Sequence, residues 1–358
     1  MFTRLFYLVV LCSTLISNAQ TPEIEWCNVP AGSYTWGENN EIGTIDYNYQ
    51  IMKYEVTYRQ FLEYLIEALA EGNFTVVNKS TVRGYYGGDV KWESGEYEFY
   101  DVADGRIHWD GNNFYLDSGY ENYPVVEVSW FGSFAFAEHY GLRLPTEEEW
   151  EKAARGNDGR NYPWGNELPA CSLANYLNCY GGTMPVGTAS GTSPYGVFDM
   201  AGNVWEWTNS FWSSSSTNRV IRGGSWSYEA EYLQSWYRHY SYTYDTFSVI
   251  GLRCVKDSIT VKNDEKQIIY HGYKLYHNYP NPFNPSTTIT YSIPMWTFVK
   301  IKVFNILGNE IATLVNKEQL AGIYEIIWNA VSFPSGTYFY RIVTSGGFMQ
   351  WRKLLLLK

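Results

Sequence analysis

From Asn161 to Cys254 the chain is punctuated by turn-forming residues. Pro163, Gly165, Gly181-Gly182, Gly187, Gly196 and Gly223-Gly224 interrupt it at short intervals, each a residue type that stops regular structure or opens a turn. An irregular stretch this long has to be pinned by something other than backbone ladders. Disulfides and bound metal ions are the usual means.

The cysteines supply one of those means. Arg4 followed by an apolar run from Leu5 to Ile16 reads as an export signal, too short to anchor in a bilayer, and Ser17-Asn18-Ala19 reads as its cleavage site. The expected signal peptide is 1–19, with the mature chain beginning at Gln20 and Cys12 removed. No later segment is long enough to cross a membrane. Cys27, Cys171, Cys179 and Cys254 remain, and an even number in an exported chain favours disulfides over metal thiolates. Cys171 and Cys179 are close enough in sequence to close a small loop, and a Cys27–Cys254 bridge would tie the ends of the first domain. Four cysteines allow three connectivities, so other pairings stay open.

The formal net charge of -11 argues against nucleic acid, which demands clustered Lys and Arg; a divalent cation is the more compatible partner. Aromatic residues make up 18% of the chain. Tyr and Trp combine an apolar face with a polar tip, which suits a wet binding surface and is equally the habit of Tyr-rich extracellular β-domains.

Three helices are expected. Thr57 and Gln60 form a capping box ahead of an apolar stripe of Phe61, Leu62, Leu65, Ile66 and Leu69 that ends before Gly72. A second helix follows Ser129 and stops at Gly141. A third begins at Thr146, with Glu149 completing a box, and ends at Gly156. The first domain is expected at 22–255, with a β-rich insertion at 73–123 in which Glu96 to Tyr100 alternate as a strand. A polar linker at 256–273 precedes 274–358, where Thr287-Ile289-Tyr291, Val299-Ile301-Val303 and Tyr338-Tyr340-Ile342 alternate like the strands of a small sandwich.

Asp199-Met200-Ala201-Gly202-Asn203-Val204-Trp205-Glu206-Trp207 carries the most chemistry. Two carboxylates flank a glycine turn whose bent backbone offers carbonyl oxygens, the hard donors Ca²⁺ collects. The same residues also suit a buried turn whose acids accept backbone N–H bonds. With Val29-Pro30-Ala31-Gly32, Tyr54-Glu55-Val56-Thr57, Pro124 to Trp130, Gly141 to Glu151, Tyr162-Pro163-Trp164-Gly165, Arg222 to Trp226 and Gly251-Leu252-Arg253, this segment resembles the formylglycine-generating-enzyme (sulfatase-modifying factor) family. The resemblance implies an α+β, C-type-lectin-like fold with low regular secondary structure. It also implies two structural calcium sites: Asp199, the carbonyls of Gly202 and Val204, and Glu206; and Asn175, the carbonyl of Tyr176, Asn178 and the carbonyl of Tyr180. Asn178 stands where the family often has Asp, which weakens the second site.

Family enzymes hold copper(I), a soft ion, on two cysteines shortly after the Gly-Gly-Ser motif. Those positions fall near Tyr228 and Leu233, and no cysteine lies between Gly224 and Arg253. The pocket expected beside Trp205, Ser225 and Tyr228 therefore lacks thiolates. His239, among Tyr237, Tyr240 and Tyr242, reads as a structural histidine rather than a ligand. Leu275 to Pro285, Val303 to Gly308, Gly336 to Arg341 and the Lys353-Leu354 terminus resemble a type IX secretion sorting domain, an Ig-like sandwich read by an outer-membrane export machine. The expectation is a secreted or cell-surface module that holds a glycan or peptide. A formylglycine-generating oxidase acting on a sulfatase cysteine and an envelope or gliding component are the alternatives.

Overall fold

Helices form where the sequence supplies both a cap and an apolar face. The computed structural model describes residues 23–257, 273–293, 297–319, 322–344 and 348–358; the expected signal peptide and nearly all of the expected linker lie outside the described residues. In α1 (Tyr58–Ala70) the Thr57 hydroxyl accepts from Gln60 N at 3.3 Å and the Gln60 side chain accepts from Thr57 N at 3.0 Å. Helix α2 (Trp130–His139) starts at Ser129, whose hydroxyl accepts from Gly132 N at 3.1 Å, and buries Trp130, Phe131, Phe136 and Ala137. Helix α3 (Glu147–Arg155) repeats the reciprocal cap with Thr146 and Glu149 and ends at Gly156, whose φ of 67° lies in the left-handed region. Each such cap stabilises by about 1 kcal/mol.

The segment 73–123 folds as a three-stranded antiparallel sheet (Phe74–Val77, Thr81–Tyr86, Gly95–Asp101) and a small hairpin (Ile107–Trp109 with Phe114–Leu116). It shares a core with the helices: Phe74, Val82, Phe99 and Tyr100 pack in one cluster with Phe61, Trp130 and Phe136. Glu127 hinges this junction. Its N donates to Phe247 O, its carbonyl accepts from Asp101 N, and its φ is 57°.

Two further sheets frame the functional region. Trp205–Phe211 pairs antiparallel with Arg219–Arg222 and parallel with Ile250–Gly251, and Arg238–Ser241 forms the outer edge. Tyr49–Met52 runs between Trp26–Val29 and Val255–Asp257, so both ends of the domain converge on one strand.

That convergence corrects the disulfide expectation. Cys27 and Val255 both face Ile51 across the ladder, from opposite sides. Two strand spacings, about 9–10 Å, separate Cys27 from the strand that Cys254 leads into, whereas a disulfide spans Cα atoms only about 4.4–6.8 Å apart. Both are buried thiols, and burial pushes both upward in pKa. Cys171 and Cys179 are joined.

The C-terminal part forms a sandwich. Ser286–Ile293 lies between Lys274–Leu275 and Gly322–Asn329; the facing sheet runs Glu310–Gln319, Thr297–Phe304, Gly336–Thr344, Met349–Leu356. Ile289, Tyr291 and Trp328 from one sheet meet Val299, Ile301, Val303, Tyr340 and Ile342 from the other.

Two measurements check this architecture. Thiol titration of the unfolded, unreduced chain starting at Gln20 is expected to give two thiols; none would restore the Cys27–Cys254 bridge. Burial, with Asp101 and Asp104 adding to it, raises the Glu127 carboxyl to about 7. A carboxyl raised on folding stabilises below its unfolded pKa and loses that contribution as pH climbs through the folded value. Glu127→Gln is therefore expected to gain roughly 1–2 kcal/mol at pH 8 and little at pH 4, read by denaturant unfolding at both pH values.

Candidate functional site

One guanidinium organises the region. Arg253 donates to both Glu206 oxygens (2.7 and 2.8 Å), to Met52 O (2.9 Å) and to Phe198 O (2.8 Å). Trp150 of α3 adds its indole N–H to Glu206 Oε2 at 2.7 Å. Arg253 and Glu206 are fully buried.

Asp199 lies beside this pair, with its carboxylate accepting from Gly187 N at 2.6 Å. Glu55 accepts from Asn203 Nδ2 at 2.8 Å and Val204 N at 3.3 Å. Desolvation raises both acids, Asp199 to about 6 and Glu55 far above its ordinary range, with Asp199 and Glu206 adding to the shift of Glu55. Glu55 is a site residue that residue-by-residue reading of the sequence passes over. It stood inside a motif, but nothing local says that it folds against a turn 148 positions away.

The two expected calcium sets are neighbours. Asn203 N donates to Asn175 O at 2.8 Å, and a Cβ on Gly202 (φ 82°) would stand 2.3 Å from that same oxygen, so only glycine fits there. They differ in what they offer a cation. Glu206 has both oxygens engaged by Arg253 and Trp150, so it does not fit the ligand role and the set of Asp199, Gly202, Val204 and Glu206 is incomplete. Asn175 fits better: it is 2% exposed, its Nδ2 donates to Gly182 O at 2.9 Å, and its Oδ1 is buried with no partner. An orphaned buried acceptor costs about 1–3 kcal/mol unless something satisfies it. Asn178 and Tyr180 lie exposed on the same loop, which the Cys171–Cys179 bridge closes.

This loop holds the next segment in place. Leu177 N donates to Tyr228 O (2.9 Å), Asn178 N to Trp226 O (2.7 Å), and Trp226 N to Asn203 O (2.9 Å). Ser225 is buried at its start. Tyr228 then meets Trp205 edge-on at 5.5 Å between ring centroids, and Tyr232, Tyr237 and His239 close the same indole at 6.2, 6.4 and 5.8 Å. Trp205 Nε1 is buried without a partner. Burial lowers the His239 pKa, keeping the ring neutral at neutral pH. Tyr237, just ahead of the strand Arg238–Ser241, and His239 within it both reach this indole. Leu233 does not join this aromatic cluster. It is fully buried with Tyr162, Ala174 and Ala201.

Residues 13–258 match the sulfatase-modifying factor enzyme 1-like domain, and residues 277–356 match the secretion system C-terminal sorting domain. The chain is 37% identical over 174 residues to a formylglycine-generating enzyme of Thermomonospora curvata, covering 38% of this chain and 57% of that protein. It is 43% identical over 120 residues to an inactive C-alpha-formylglycine-generating enzyme 2 of Bos taurus, covering 29% of this chain and 38% of that one. It thus spans less than two thirds of the length of these curated relatives. Among solved structures, CarF superposes with a TM-score of 0.48 at 21% identity, covering 66% of this chain and 99% of CarF. No helix among the described residues is long and apolar enough to cross a membrane. With the family domain covering most of its length, the chain belongs to the sulfatase-modifying factor enzyme 1-like family, in an α+β, C-type-lectin-like fold that is followed by an all-β secretion sorting domain.

Proposed function

We propose that this protein is an exported recognition module in which the aromatic pocket around Trp205 holds a glycan or peptide ligand, and that it does not carry out copper-dependent cysteine oxidation. The observation that carries this reading is what stands at the two positions expected for the cysteine pair. Tyr228 turns a phenol ring onto Trp205, and Leu233 is core. Aromatic rings and a buried serine are not donors for a soft monovalent ion, which requires thiolate or thioether sulfur; copper does not fit this pocket. What surrounds the buried indole instead is a set of half-buried tyrosine rings, Tyr228, Tyr232 and Tyr237, whose flat faces with polar tips suit binding. The likeness both to a formylglycine-generating enzyme and to a relative whose name marks it inactive supports separating fold from activity.

Calcium belongs in this reading as a structural ion at the Asn175 loop, with Asn175 Oδ1, the Tyr176 and Tyr180 carbonyls and Asn178 as its donors. There it would brace the loop that fixes Tyr228 and Trp226. The orphaned Oδ1 supports it.

Incubated with copper(I) and a sulfatase-derived peptide bearing Cys-x-Pro-x-Arg, the mature chain is expected to leave the cysteine unchanged; turnover would overturn the reading. On an array of glycans and peptides it should retain a ligand, and Tyr228→Ala should weaken that binding by about tenfold or more, roughly 1.4 kcal/mol. Calcium chloride should raise the melting temperature of the EDTA-treated protein. Asn175→Ala should remove that rise, and an unaltered melting curve would exclude the ion.

A further inference from the structure

A cavity of about 340 Å³ opens between the turn after strand Gly32–Trp36 and the entry to strand Arg238–Ser241. We propose that it is a second ligand site, a subsite for a neutral saccharide of mono- or disaccharide size. This goes beyond the reading above, because the cavity and the Trp205 pocket have different linings and share only Tyr237 as a wall.

Two of the three charged side chains that line the cavity, Glu151 and Arg238, are already engaged. Glu151 gives Oε1 to Arg155 (3.0 Å) and Gly37 N (2.7 Å), and Oε2 to Arg222 (2.5 Å). Arg238 is held in a two-pronged pair by Glu147 at 2.7 and 2.9 Å. A phosphate or carboxylate ligand would meet cations whose charge Glu151 and Glu147 already offset, with only Nη1 of Arg238 left to donate from the lining. A cationic ligand would find only Glu38, which is exposed to solvent and therefore screened. These pairings favour a ligand without net charge.

Its lining mixes three aromatic side chains with the polar Glu38, Glu151 and Arg238. Trp36, Trp236 and Tyr237 present ring surfaces. Trp236 is the most informative of them: it is half-buried, yet it belongs to none of the hydrophobic clusters of this domain. Its indole N–H and the Glu38 carboxylate have no partner among the described residues, leaving a donor and an acceptor at the rim. A hydroxyl can serve either one, since it both donates and accepts. A sugar ring supplies an apolar C–H face for the indoles and hydroxyls for that rim. At about 340 Å³ the volume lies at the small end of ordinary ligand pockets, roughly 300–1,000 Å³, which suits a short saccharide.

The test is calorimetric titration of the full mature chain with cellobiose, mannobiose and chitobiose as neutral probes, digalacturonate as an anionic probe and choline as a cationic probe. At least one neutral disaccharide is expected to bind, Trp236→Ala to weaken it about tenfold or more, Glu38→Gln to weaken it less, and Tyr228→Ala to leave it unchanged. Because Trp236 lies outside the clusters, the melting temperature of Trp236→Ala should match that of the unaltered chain; if it falls, Trp236→Phe, which keeps a ring and loses the N–H, takes its place and should still weaken binding. The proposal is overturned if no neutral probe binds at millimolar concentration, if binding survives the Trp236 variants, or if choline or digalacturonate binds more tightly than the sugars. Loss of binding in Tyr228→Ala alone would place the sugar in the Trp205 pocket, which overturns this inference and leaves the recognition reading standing.

Discussion

The first domain depends on a buried ion pair. Arg253 and Glu206 are both removed from water, and each is nearly saturated by partners: the guanidinium by two carboxylate oxygens and two carbonyls, the carboxylate by the guanidinium and the Trp150 indole. Such a pair adds little net stability over an apolar substitute, but losing one member strands the other charge at a cost of about 3–5 kcal/mol. Its contribution here is positional. Met52, Phe198, Glu206 and helix α3 come from parts of the chain far apart in sequence, and a single planar group sets their spacing. A fold with so little regular structure has few other means of registering its loops.

From this anchor the architecture passes outward in short hydrogen-bonded steps. Glu206 leads into Trp205, the centre of the aromatic cluster. Asn203, in the turn just before it, is held by Glu55 and in turn holds Trp226 and the Asn175 loop. Tyr228 is therefore fixed from two sides, by the turn that carries Trp205 and by the loop closed by a disulfide. On the proposed reading, aromatic rings held this way lose little conformational freedom when a ligand arrives.

Much of this was legible in the sequence, and the reasons are local. Capping boxes at Thr57 and Thr146 are short-range chemistry, and their helices begin where the boxes sit. The tail's strands alternate with period two, and Ser286–Ile293, Thr297–Phe304 and Gly336–Thr344 cover the predicted runs. The ordered motifs carried the family. What the sequence did not disclose is long-range. The role of Glu55 depends on Asn203, and Glu206 looked like an open carboxylate because its partner lies 47 positions on. The pairing of Cys27 with Cys254 was reasonable from their places at the two ends, but a third strand comes between them. Trp236 carries no signal at all until the turn after Trp36 is seen to face it.

The placement of the sulfur atoms bears on how the protein tolerates changing surroundings during export. The central ladder that unites the two ends of the domain owes nothing to oxidation, since its cysteines are ordinary packed side chains. Assembly of the core can thus be completed in a reducing compartment. The disulfide among the described residues sits elsewhere, closing the loop behind Tyr228, so breaking it would loosen that loop while leaving the frame untouched.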